Sequence, residues 1–205
     1  MKKILSILFI ASLFSCEGTT SKKDTAPKDT LSNKDTVAQV QYDSAQMKVV
    51  YDKVFFGITK KEYDKLMPNT FNNIGDNSYL FYPMFDDDGK LYVLDISTVS
   101  VNANEIDSRL YDAKNNLFKV ISKKYGPATQ SLSEFNILAS KPGYTQWQYE
   151  WKIGTKTIII GIKESTLGSK YSAVMQIYDQ PTVDRINDKS NGQLQDNINK
   201  DSEKF

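Results

Sequence analysis

Few side chains in this sequence are of a type and spacing that do chemistry. Cysteine occurs once in 205 residues, at Cys16, and histidine does not occur. Without imidazole the chain lacks the commonest general base and the usual zinc ligand. A hydrolase built here would have to work with carboxylates or tyrosines alone. Asp86-Asp87-Asp88-Gly89 is the most conspicuous acidic group. Calcium loops of the EF-hand kind space their carboxylates at alternate positions with a distal Glu. Consecutive aspartates could clip an ion only weakly, and an acidic hairpin turn is the simpler reading, so no metal is expected. Glu150 lies between aromatics and could be an acid of raised pKa, yet strand alternation puts it on the wet face. Trp147, Tyr149 and Trp151 could stack on a carbohydrate if exposed; alternation places them with Ile153, on a face that core packing would use. No Gly-rich phosphate loop, Ser-x-x-Lys or Gly-x-Ser-x-Gly is present.

Composition narrows the partners. Lys and Arg number 26, Asp and Glu 25. Loss of residues 1–15 would remove Lys2 and Lys3 and no acid, leaving 24 bases against 25 acids, with no basic field for nucleic acid. Met1-Lys2-Lys3 followed by the apolar run Ile4 to Phe14 reads as a signal peptide. The run is too short for the ~20 residues that cross a bilayer. Leu13-Phe14-Ser15-Cys16 resembles the lipobox of bacterial lipoproteins. That resemblance implies diacylglycerol on the Cys16 thiol, cleavage before Cys16 and acylation of the new N-terminus. No cofactor is expected beyond that covalent lipid, and the membrane would be reached through it. Glu17 is not the aspartate that retains such proteins at the inner membrane, so the resemblance implies the outer membrane. The alternative is an ordinary secretory signal with an incidental cysteine.

Residues 16–45 show no hydrophobic periodicity. Ser, Thr, Lys, Asp, Ala and Pro cannot bury enough apolar surface to offset their ordering entropy, so a disordered tether is expected. About 30 flexible residues reach roughly 30 Å. Lys-Asp-Thr recurs at 23–25, 28–30 and 34–36. With the residue that follows each Thr, and with Asp43-Ser44-Ala45, these resemble the O-glycosylation acceptor of Bacteroidota. The resemblance implies glycans on Thr25, Thr30, Thr36 and Ser44. A polar spacer grown by local duplication is the competing account.

The elements that position everything else fall in 46–180. Lys48 to Phe56 reads as a strand ending at Gly57. Thr59 and Glu62 form a capping box, with Ile58 and Tyr63 as a staple, and Pro68 ends that helix. Tyr79 to Phe85 and Lys90 to Ile96 flank a turn at Gly89, a hairpin. Pro83 cannot donate to a ladder, so its strand should be an edge or carry a bulge. Ile106, Leu110, Ala113, Leu117 and Ile121 make one stripe of a long helix from Asn104 to Tyr125. Strands follow at Thr145 to Ile153, Thr157 to Ile162 and Tyr171 to Tyr178. The order is β-α-β-β-α-β-β-β: an α+β domain, an antiparallel sheet of five or six strands with two helices on one face. Residues 181–205 read as a polar disordered tail.

Phe56-Gly57-Ile58-Thr59-Lys60-Lys61-Glu62 is similar to the helix-opening motif of small outer-membrane-assembly lipoproteins, and the helix-plus-sheet pattern is similar to β-lactamase-inhibitor-like domains. Those resemblances imply a protein-binding scaffold. The expectation is thus a non-enzymatic, lipid-anchored envelope protein presenting an α+β domain to a protein or glycan, with a histidine-free envelope hydrolase as the alternative.

Overall fold

A computed structural model of the chain describes residues 42–204; Cys16, Thr25, Thr30, Thr36, the signal peptide and nearly all of the expected tether lie outside the described residues. The described chain opens with a short helix α1 (Ser44–Lys48) and a small hairpin, β1 (Val49–Tyr51) and β2 (Val54–Phe55). Helix α2 (Lys60–Leu66) precedes β3 (Phe71–Ile74), β4 (Asn77–Phe85), β5 (Leu91–Ser97) and β6 (Val101–Asn102). A 3₁₀ turn at Ala103–Glu105 and a π-helical turn at Ile106–Leu110 lead into α3 (Tyr111–Tyr125). Then come β7 (Gln130–Ser131), β8 (Thr145–Ile153), β9 (Lys156–Glu164), β10 (Lys170–Asp179) and α4 (Gln180–Ser202).

The architecture is α+β, as expected, but the antiparallel sheet has eight strands rather than five or six. Along it the order is β3-β4-β5-β10-β9-β8-β7, with β6 beside β10. The extra strands are short or polar. β3 is Phe-Asn-Asn-Ile, and β7 is Gln-Ser against Glu150 and Tyr149, compositions that carry little strand preference. The expected first strand, 48–56, is two strands folded on each other, with Asp52 at positive φ in the turn.

Several local expectations hold. Thr59 Oγ1 accepts from the Glu62 amide and Glu62 reaches back to the Thr59 amide at 2.7 Å. Gly89 has φ +69° in the β4–β5 turn. Ile106, Leu110, Ala113, Leu117 and Ile121 are all buried, so one helical stripe runs through both the π turn and α3. It packs on the sheet face bearing Leu94, Ile96, Ile158, Ile160, Ile162, Met175 and Ile177. Tyr79 sits beneath α3 and donates its hydroxyl to the Ala113 carbonyl at 2.9 Å. Pro83 is explained without making β4 a true edge: β3 pairs only with Asn77 to Leu80, so the Pro83 nitrogen lies past the end of its neighbour, and a bulge follows at Met84/Phe85.

One further expectation is corrected. The segment 181–205 is not a disordered tail: Gln180–Ser202 is helical, with Pro181 in the first turn. Its apolar residues Val183, Ile186, Leu194 and Ile198 are sparse enough to vanish in a composition count, yet fall within one side of a helix. The start of α4 folds over the face opposite α3, where Val183 and Ile186 line a pocket with Val93 and Tyr178.

The entry of the chain into the domain is held by an unusual residue. Lys156 is fully buried. Its Nζ donates to the carbonyls of Gln46 and, at 3.0 Å, Val49, and to the Tyr125 hydroxyl at 2.9 Å. All three ammonium protons are therefore used, two of them on the α1–β1 backbone. Met47 packs at Gly154 beside it, and Tyr42 donates to the Tyr125 carbonyl at 3.1 Å.

Candidate functional site

Alternation along each strand divides the sheet into a face covered by α3 and a second, largely open face. Pairing aligns the open face in rows. Tyr82, Asp95, Gln176, Ile159 and Glu150 stand side by side across β4, β5, β10, β9 and β8. Leu80, Ser97, Val174, Gly161 and Trp147 form the next row, and Ser172, Lys163 and Thr145 continue the third.

Trp147 is in that row because β8 carries a bulge. Trp147 pairs with Gly161 but Tyr149 pairs with Ile160, so Gln148 is the extra residue. A bulge shifts the side-chain alternation by one. The aromatics expected with Ile153 on one face are consequently split. Tyr149, Trp151 and Ile153 pack under α3, where Trp151 donates Nε1–H to the Gly126 carbonyl at 3.0 Å. Thr145 and Trp147 face the other way.

Trp147 there becomes one wall of a cleft of about 330 Å³ whose opposite wall is Tyr82, itself 47% exposed. Its floor holds Asp95, Gln176 and Val174, and its rim Lys163 and the hydroxyls of Ser97, Ser100, Thr145 and Ser172. Gln176 Nε2 donates to Asp95 Oδ1 at 2.7 Å. Burial pushes the Asp95 carboxyl above the usual carboxylate range, against the Gln176 hydrogen bond and Lys163, which pull it down. Ser100 and Ser172 share a hydrogen bond of 2.9 Å. The cleft thus combines two aromatic walls with a floor of directed donors and acceptors, the make-up of a ligand site.

Sequence reasoning found Trp147 but weighed it as core, and it missed Tyr82, Asp95, Lys163 and Gln176. A usable signal was present: Asp95 and Gln176 each interrupt an apolar strand run, Leu94-Asp95-Ile96 and Met175-Gln176-Ile177. Glu150 lies on the open face as expected, with Lys152 Nζ 3.6 Å away.

The acidic turn serves the fold. Asp86 accepts from the amides of Asp88 and Lys90 and from Arg185 at 2.9 Å, leaving its side chain 8% exposed. Asp87 is paired with Lys189, and Asp88 is exposed. Two of the three weak metal candidates are thereby occupied by cations of α4; among the described residues no cluster of three metal-ligating side chains occurs. Ser44, expected on an extended tether, is instead the first residue of α1. Its neighbour Asp43 caps that helix, accepting from the Gln46 amide at 2.6 Å.

These pairs make α4 separable. The helix has no buried residue, and exposed ion pairs contribute only ~0–1 kcal/mol each. In the double variant Arg185→Ala/Lys189→Ala, amide hydrogen exchange over 188–202 should quicken several-fold while β9 and β10 keep their protection. Acid should act alike. The Lys189 hydrogen bond holds Asp87 below the usual carboxylate range, so this contribution is full above an ordinary aspartate pKa and lost as pH falls through the lowered one. Unchanged exchange in both experiments would show that the pairs do not hold the helix.

Among the described residues no helix is long and apolar enough to cross a membrane. Comparison of the chain with protein-family models, with curated proteins and with solved structures returns no match.

Proposed function

We propose that the chain is a lipoprotein of a bacterial cell envelope, held to the outer membrane by acyl groups on Cys16, and that its α+β domain is a non-enzymatic binding module. The open-face cleft is its recognition surface. Support for the anchor is the basic start, the apolar run and the Leu13–Cys16 motif. Each buried CH₂ contributes ~0.8 kcal/mol, so multiple acyl chains hold a protein to a bilayer durably. Thr25, Thr30 and Thr36 are the glycan acceptors in this reading; Ser44, being helical, is not.

The observation that carries the binding role is the cleft between Tyr82 and Trp147. Its central carboxylate is engaged by an amide, Gln176, which can orient a ligand but has no proton to exchange at neutral pH. The alternative of a histidine-free hydrolase has one observation in its favour, the raised Asp95 carboxyl, and among the described residues no second carboxylate lines that cleft. The anchor is tested by Cys16→Ser. Growth of the native host in labelled palmitate should leave that variant unlabelled and no longer sedimenting with membranes. Equal labelling and sedimentation of variant and parent would remove the anchor from the proposal.

A further inference from the structure

Taking the open-face cleft as the recognition surface just proposed, we infer that it binds a neutral oligosaccharide, laid across the strands between the rings of Trp147 and Tyr82. The walls set the shape of the ligand. The two aromatics stand on β8 and β4, four interstrand steps apart, which at ~4.8 Å per step is about 19 Å between backbones. A single compact ligand would touch one ring only; a short chain of pyranose rings reaches both. Aromatic faces carry partial negative charge and suit the C–H faces of sugars, which are apolar and slightly positive.

The floor sets the polarity. Between Val174 and Trp147 the row contains Gly161, which has no side chain and lets the β8 backbone at Gln146 and Trp147 approach closely. Asp95 and Gln176 present an acceptor and an amide already oriented by their mutual bond. Lys163 and the serine and threonine hydroxyls on the rim add donors and further acceptors. Sugar hydroxyls both donate and accept, and so match this alternation. Charge favours a neutral ligand. Among the described residues one carboxylate and one ammonium line the cleft: an anionic chain would meet the half-buried Asp95 and a cationic one the exposed Lys163, each a charge of the wrong sign. An extended peptide would instead seek a free strand edge, whereas the floor of this cleft is the face of β5 and β10, which are paired on both sides.

The test uses the full lipidated chain in a detergent without a sugar headgroup, since a glycoside detergent would compete. Calorimetric titration is run with maltotriose, chitotriose, mannotriose and xylotriose, and with trigalacturonate and a neutral tetrapeptide as the anionic and peptidic comparisons. At least one neutral trisaccharide should bind saturably. Trp147→Ala should weaken it by at least ~10-fold, the loss expected of an aromatic anchor. Tyr82→Ala, at an exposed position, should weaken it with unchanged melting temperature, and Tyr82→Phe should retain binding. The second position keeps the test valid if Trp147→Ala proves unstable. The inference is overturned if no neutral trisaccharide binds, or if binding survives both alanine variants. Trp147-dependent binding of trigalacturonate or the peptide alone would also overturn it, while leaving the cleft as a recognition surface. Loss of the anchor in the Cys16→Ser experiment bears on neither outcome.

Discussion

Gly161→Ala should lower the unfolding free energy by about 2 kcal/mol, although it adds one methyl group inside a strand. Replacing glycine removes freedom from the unfolded chain and stabilises by ~0.4–1 kcal/mol where the native conformation permits. Here φ lies outside the left-handed region, so conformation permits it. Space does not. A Cβ would overlap the Gln146 carbonyl oxygen and come within 2.9 Å of the Trp147 Cα. Both are backbone atoms of the bulge, and neither can swing aside as the end of a side chain can. Overpacking costs ~1–3 kcal/mol, and at this rigid contact the upper end applies, so it outweighs the entropic gain. For a domain of this size the melting temperature should fall by roughly 6 °C, at ~2–4 °C per kcal/mol. Denaturant unfolding measures the effect, and tryptophan emission shows whether Trp147 has been displaced. Unchanged stability would mean that β8 does not approach β9 through this glycine, and the placement of Trp147 on the open face would lose its cause.

Lys156→Met is the second large effect, and its sign is set by a contest. Removing the ammonium relieves the desolvation of a buried charge, a penalty of several kcal/mol. It also removes three hydrogen bonds from a charged donor, each worth ~1.5–3 kcal/mol. The Gln46 and Val49 carbonyls and the Tyr125 hydroxyl lose their partner together. We expect the loss to win by about 2 kcal/mol. Lys156→Ala should cost about 4 kcal/mol because a cavity is added to the same loss. Amide exchange should show protection lost first at Val49 to Tyr51, since that is the backbone Lys156 holds. Burial keeps the Lys156 pKa below an ordinary lysine's, against the Tyr125 hydrogen bond. The unfolded chain therefore binds more protons at this residue. Stability from it rises as pH climbs through the lowered folded pKa toward the ordinary ~10.4. The gap between parent and Lys156→Met should widen over that alkaline range. A methionine variant as stable as the parent, with protection at Val49 intact, would show that the lysine is not what secures the segment.

How much of this was legible beforehand follows from the range of the interactions. Thr59 with Glu62, Gly89 in its turn, and the Ile106-to-Ile121 stripe are local patterns, decided within a few residues, and each was readable. The site was not, because it depends on cross-strand register. Periodicity assigned Trp147, Tyr149 and Trp151 to one face, and it has no means of detecting the extra residue at Gln148 that turns Trp147 over. Asp95 meets Gln176 across 81 positions, a partnership no window along the chain contains. Lys156 reads as a solvated lysine until Gln46, Val49 and Tyr125 are brought around it. The helix at Gln180–Ser202 was hidden by its composition. Its Arg185 and Lys189 acquire their purpose only when the Asp86–Asp88 turn lies beside them.

The positions of Lys156 and Lys163 on one strand have a mechanical consequence. Lys156 secures the entering chain at the start of β9, while Lys163, seven residues on, borders the cleft near the other end. The two are separated by about 23 Å at ~3.3 Å per residue. Tension drawn through Tyr42 would be taken up by the Lys156 bonds and the neighbouring turn at Gly154. The distal mouth stands off the load path, free to keep its shape while the near pole is pulled.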